Sequence, residues 1–99
     1  MPGIQTTSKK RLLQEISLHI ASIYQLDQVK VFSALQEREN LGPTGMGHGV
    51  AIPHARVRTI ESVKGLFARL IKPIDFNSMD GQCVDLVFVL IAPEESGAV

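Results

Sequence analysis

The run CVDLVFVLIA, residues 83–92, constrains the fold of this chain more than any other segment. It is apolar on both alternating parities, largely β-branched, and carries Asp85 as its one charge. It is too short for a membrane-spanning helix, which needs about eighteen or more apolar residues. A strand with one wet face alternates apolar with polar, whereas a strand covered on both faces reads as a continuous apolar run. The segment therefore predicts a central strand with cover on both sides, inside a layered α/β or α+β domain. Cys83 opens the run and is expected to be a small core residue.

The cover has to come from earlier in the chain. Leu12, Leu13, Ile16, Ile20 and Ile23 recur at helical spacing, so residues 8–25 are expected to form an amphipathic helix. Thr7 or Ser8 can cap it. Lys9, Lys10 and Arg11 crowd its first turn, where the helix dipole disfavours cations, and are read as solvated or facing an anionic partner. Asp27 is placed to cap a second helix over 28–39, with Val31, Phe32 and Leu35 on its inner face. Asn40-Leu41-Gly42-Pro43 is a strong stop. Val50-Ala51-Ile52 reads as a short buried strand closed by Pro53, and Val63–Ile71 as a longer one. Pro73 and Asp80-Gly81 signal turns before the last strand. His19 sits mid-helix beside the apolar stripe and is expected to be structural or exposed.

Two helices can cover one face of a sheet but hardly two. On burial grounds the chain looks unfinished at its C-terminus. Its 99 residues allow one domain at most. Roughly forty to fifty more would bring it to a common domain size. Residues 1–7 are short, polar and aperiodic, and are expected to be disordered or a cloning remnant.

Ten basic residues balance ten acidic ones, so charge gives no general reason to expect nucleic acid or an anionic membrane as partner. No long apolar run and no signal peptide is present, which predicts a cytoplasmic chain without membrane insertion. A single cysteine excludes an internal disulfide and a multi-cysteine zinc site.

The densest segment is GPTGMGHGVAIPHARVR, residues 42–58, with four of the eight glycines and two of the three histidines. Its G-x-G-x-G spacing is no dinucleotide fingerprint, because the glycines follow a helix and precede a strand. No G-K-[ST] follows, so it is no P-loop. His48 and His54, six apart, do not have the spacing of a zinc site, although Asp75, Asp80 or Asp85 could join them in three dimensions. A third reading makes one histidine a phosphoryl acceptor, with backbone N–H groups and an arginine fork supplying positive potential. Pro53 would then hold the backbone extended and aim the His54 ring. The plain alternative is a tight connection with two surface histidines.

The block REN-LG-x-TGMGHGVAIPHA, residues 38–55, resembles the active-site signature of the IIA domains of the phosphoenolpyruvate-dependent phosphotransferase system, type 2, the fructose/mannitol class. The resemblance runs from SKKRLLQEIS through PIDFNSMDGQCVDLVFVLIAPEE and is strongest to the nitrogen-regulatory members. It implies a mixed β-sheet flanked by helices, of which residues 8–99 would be a partial domain with two helices, the glycine loop and about three strands. It implies that His54 carries the phosphoryl group, with Arg38 pairing to the added charge. Thr44 would be a donor or loop anchor, and Gly45, Gly47 and Gly49 would form the turn. His48 falls at a variable position and is given no chemistry. Ala55 stands where many members have glycine.

The family continues past the APEE region into a segment with a second histidine and two closing helices, so the chain is expected to be C-terminally truncated, with the N-terminal segment also shortened. The implied chemistry is phosphotransfer through a phosphohistidine, without metal or cofactor. Implied partners are an HPr-like carrier and either regulatory proteins or a IIB domain, and a homodimer through exposed strand surface is plausible. The expected function is nitrogen or metabolic regulation. The alternatives are a fructose/mannitol transport relay, or an inactive fragment that only binds partners.

Overall fold

The computed structural model describes residues 2–4, 8–58 and 60–94, and for residues 2–4 the backbone only. In chain order these form β1 (Pro2–Ile4), α1 (Lys9–Tyr24), α2 (Gln28–Leu41), β2 (Gly45–Gly47), β3 (Val50–Ala51), β4 (His54–Val57), β5 (Lys64–Ile74) and β6 (Val84–Pro93). The strands make one mixed sheet in the order β1-β5-β6-β3-β2, with β4 beside β6 on the same edge as β3. β5 and β6 are antiparallel, while β3 and β4 run parallel to β6.

Local chemistry explains the helices. Ser8 caps α1 by accepting from the Arg11 N–H at 3.2 Å. Thr7, the other expected cap, lies outside the described residues. Asp27 caps α2 by accepting from the N–H groups of Val29 and Lys30. Gly42 ends α2 with an extended φ of 163°. Leu12, Leu13, Ile16 and Ile20 are fully buried as expected, and Val31 and Leu35 join them from α2. Ile23 does not: it lies in the last turn of α1 and is exposed.

Both helices contribute to one core with Leu66, Ala68, Leu70, Val87, Val89 and Ile91, so both pack on one face of the sheet. The expected cover on both faces of β6 is therefore half present among the described residues. Phe88 of β6 sits opposite Phe67 of β5 on the other face, with ring centroids 6.4 Å apart, and both rings are about half exposed. The two rings form a cross-strand aromatic pair on that face. β5 is likewise one-sided, with Phe67, Arg69 and Ile71 outward.

Further expectations need correction. Cys83 is exposed, because β6 begins one residue later and Cys83 belongs to the turn before it. Pro73 lies inside β5, at a shift of register between Arg69 and Ile74 where the ladder needs no N–H from it. The strand count is six rather than about three among the described residues. Pro2–Ile4, within the segment expected to be disordered, adds to the edge of β5 by backbone pairing that side-chain periodicity does not reveal. The remainder of that segment and the chain beyond Glu94 lie outside the described residues. No described helix is long and apolar enough to cross a membrane.

Candidate active site

His54 opens β4, and Pro53 explains the freedom of its ring. The pairing to β6 keeps one offset across the break: Val50 is opposite Leu86, and His54 is opposite Leu90. β3 and β4 are thus a single strand line interrupted at Ile52 and Pro53. Proline has no N–H for the ladder, but its carbonyl still accepts from the Leu90 N–H at 3.0 Å. Ile52 faces the other way and donates its N–H to the Thr44 carbonyl at 3.0 Å. Its carbonyl receives the His54 ring, with Nδ1 at 2.8 Å.

That contact sets the tautomer. A carbonyl oxygen only accepts, so Nδ1 carries the proton and the neutral ring leaves its lone pair on Nε2. Arg38 Nε donates to Nε2 at 3.3 Å. The same guanidinium donates through Nη1 to the Gly42 carbonyl at 2.9 Å, at the end of α2. Arg38 is therefore held between a helix terminus and the imidazole.

The pair opens onto a groove of about 730 Å³ between α2 and β4. Leu41, Val63, Leu90 and Ala92 give it apolar walls, and Glu37 is its one carboxylate. Arg56, two residues past His54 and on the same side of the strand, lines it as well. Arg38 beside the imidazole nitrogen, with Arg56 lining the same groove, makes a site suited to a doubly charged oxyanion.

Residues 2–98 match the family described as "Phosphoenolpyruvate-dependent sugar phosphotransferase system, EIIA 2". The chain belongs to this family. A nitrogen regulatory protein of Bradyrhizobium diazoefficiens is 51% identical over 98 residues, which are 99% of this chain and 64% of the relative. The chain thus spans less than two thirds of that relative's length. The crystal structure of the nitrogen regulatory protein IIA-Ntr from Neisseria meningitidis superposes with a TM-score of 0.89 at 40% identity, covering 97% of this chain and 66% of that one. The IIA mannitol structure from Escherichia coli shares the fold, with a TM-score of 0.81 at 18% identity over 97% of this chain and 70% of that one.

Within this EIIA type-2 domain the glycines are placed differently from the expected cradle. β2 and β3 form a hairpin whose two-residue turn is His48-Gly49, with φ of 56° and 81°. Positive φ at both positions defines a type I′ turn, the form that matches strand twist. Gly45 lies where a Cβ would fall 2.2 Å from Ser78 Oγ, so close approach demands glycine there. None of Gly45, Gly47, Gly49 or Thr44 lines the groove beside His54. They shape the hairpin that delivers His54 rather than the pocket around it.

His48 does not line the groove, and its N–H donates to Asp80 at 2.9 Å. That bond, with a second from the Gln82 N–H, holds the Asp80 carboxyl below its ordinary value of 3.8. No group of three or more His, Cys, Asp or Glu side chains able to hold a metal converges among the described residues. His19 lies 3.8 Å from Glu15 on the surface of α1.

Thr44 is a buried anchor, and its partner was missed in the sequence. Its N–H and Oγ1 both donate to the Glu39 carboxylate, at 2.9 and 2.5 Å. Lys9 Nζ reaches the same carboxylate at 3.0 Å and lies over the Phe76 ring at 5.4 Å. Lys9 is thus neither plainly solvated nor facing a partner. A signal existed: Glu39 continues the four-residue spacing of Val31 and Leu35, so a carboxylate was due on the buried face. Arg56 had a signal too, at two residues from His54 on one strand.

Proposed function

We propose that this chain accepts a phosphoryl group on His54 Nε2 from the phosphohistidine of an HPr-like carrier, and that its phosphorylation state is read by regulatory protein partners. The observation that carries this reading is the orientation of one ring. Nδ1 is tied to the Ile52 carbonyl and Nε2 faces Arg38 and the groove. The Nε2 lone pair attacks phosphorus in line. The P–N bond to the carrier breaks, and its electron pair stays on the carrier's ring. His54 becomes an imidazolium-like phosphoramidate, and the Ile52 carbonyl stabilises the charge that develops at Nδ1–H. Arg38 Nε must leave Nε2 as the bond forms, and the phosphoryl oxygens are its natural new acceptors. No metal or cofactor is needed, since positioning and electrostatics carry most of such a transfer.

The similarity to nitrogen regulatory proteins supports the regulatory reading over a sugar relay. Incubation with phosphoenolpyruvate, enzyme I and an HPr-type carrier should add one acid-labile phosphoryl group by intact mass. His54→Ala should abolish it with the fold retained. Full labelling of His54→Ala would remove the assignment. Stoichiometric passage of the group to a IIB domain would favour the relay.

A further inference from the structure

Thr44 and Ile52 lie opposite one another in the β2–β3 register, which pairs Gly45 with Ala51. Antiparallel residues that share one backbone bond normally exchange both. Here one bond is made, from the Ile52 N–H to the Thr44 carbonyl at 3.0 Å. The return bond is absent, because the Thr44 N–H is turned to Glu39 Oε2 at 2.9 Å. The Ile52 carbonyl is left for the imidazole, and His54 Nδ1 takes it at 2.8 Å. The Glu39 carboxylate has a side-chain exposure of 2%, so a docked carrier cannot touch it.

We propose that Glu39, held by Lys9, is a positioning residue for His54: by drawing the Thr44 N–H away, it frees the Ile52 carbonyl to fix the imidazole as the Nδ1–H tautomer with Nε2 outward. The role in phosphotransfer rests on the function proposed above, while the tautomer effect does not. A continuous path supports it. Lys9 Nζ and both Thr44 donors converge on the carboxylate, Thr44 accepts from Ile52, and Ile52 accepts from the ring. The two bonds from Thr44 to Glu39 are buried, where neighbouring hydrogen bonds polarise one another. Arg38, next to Glu39 on α2, closes the circuit at Nε2.

The test uses the full chain labelled with ¹⁵N-histidine, so that the two ring-nitrogen shifts of His54 report its tautomer. The main variant joins Lys9→Met to Glu39→Met, which removes the ion pair and keeps the volume; apolar replacement of a buried pair is often tolerated. Phosphoramidate serves as a small P–N donor that needs no docking. In the variant, His54 should become a mixture of tautomers, and its phosphorylation should slow by about tenfold to a hundredfold, as for other groups that orient a reacting ligand. With the HPr-type carrier, kcat should fall and KM should not change. Thr44→Ser, which keeps both donors, should behave as the wild type. Leu35→Ala, destabilised in the same core, should keep the Nδ1–H tautomer.

A folded double variant with an unchanged tautomer overturns the proposal, and so does a tautomer change of equal size in Leu35→Ala. If the double variant does not fold, Glu39→Gln against Glu39→Met decides: the first keeps a side-chain oxygen for the Thr44 N–H and the second keeps none, so equal ring shifts in the two overturn it. If the wild type is phosphorylated by neither donor, the proposed function fails, and the ring shifts still decide the role of Glu39.

Discussion

Arg38 Nε donates to His54 Nε2 at 3.3 Å, so the guanidinium occupies the lone pair that an incoming phosphoryl group would need. It also holds the Gly42 carbonyl, which ties its position to the end of α2. Arg38→Ala should slow phosphorylation of His54 by about 1.5–3 kcal/mol, roughly tenfold to 150-fold, as for a lost hydrogen bond to a charged group. Arg38→Lys should recover only part of the rate, since an ammonium cannot serve phosphate and Gly42 as a fork does. Rapid-quench transfer from the carrier measures both. A rate unchanged in Arg38→Ala would leave the residue a helix-end cap.

Arg56 shares the groove and the strand face with His54. Arg56→Gln should raise KM for the carrier or slow transfer, by less than the Arg38 change, because an exposed charge is screened by water and salt. The effect should shrink as ionic strength rises from low to physiological. A salt-independent effect would point to packing instead.

Two glycines should behave in opposite ways. Gly45→Ala places a Cβ 2.2 Å from Ser78 Oγ and 3.2 Å from Phe76 Cβ. The cost should be about 1–3 kcal/mol of stability, the range for overpacking a core. Gly42 has open space and an extended φ, so Gly42→Ala should be neutral or stabilise by about 0.4–1 kcal/mol through the unfolded chain. Urea midpoints for the two variants should fall on opposite sides of the wild type or, for Gly42→Ala, coincide with it.

Asp80 links the hairpin turn to the loop before β6, and its folded value is lowered by the His48 and Gln82 N–H groups. A lowered carboxyl contributes its stabilisation above its ordinary value and loses it as pH falls through the folded one. The His48 and Gln82 amide resonances should therefore titrate together with a midpoint below 3.8, the ordinary value of the carboxyl. Asp80→Asn should abolish that titration. A midpoint at or above the ordinary value would mean that the carboxylate does not hold these amides in solution.

The sequence by itself determined both helices, their caps and most of their inner faces, because side-chain spacing and capping chemistry act within a few residues. It also marked β6 as central and the segment around His54 as the place for chemistry. Pairing decided the rest. β1 and β4 owe their existence to backbone bonds with distant strands, and β2 to its hairpin with β3, none of which so short a segment advertises. Cys83 and Ile23 show the limit of apolarity as a guide to burial: both are exposed, one just before β6 and the other in the last turn of α1. Only the fold brought Arg38 to His54 across sixteen positions of sequence. Only the fold placed Lys9 and Thr44 on the buried Glu39 carboxylate, since a charge finds its partner through tertiary geometry and not through local pattern.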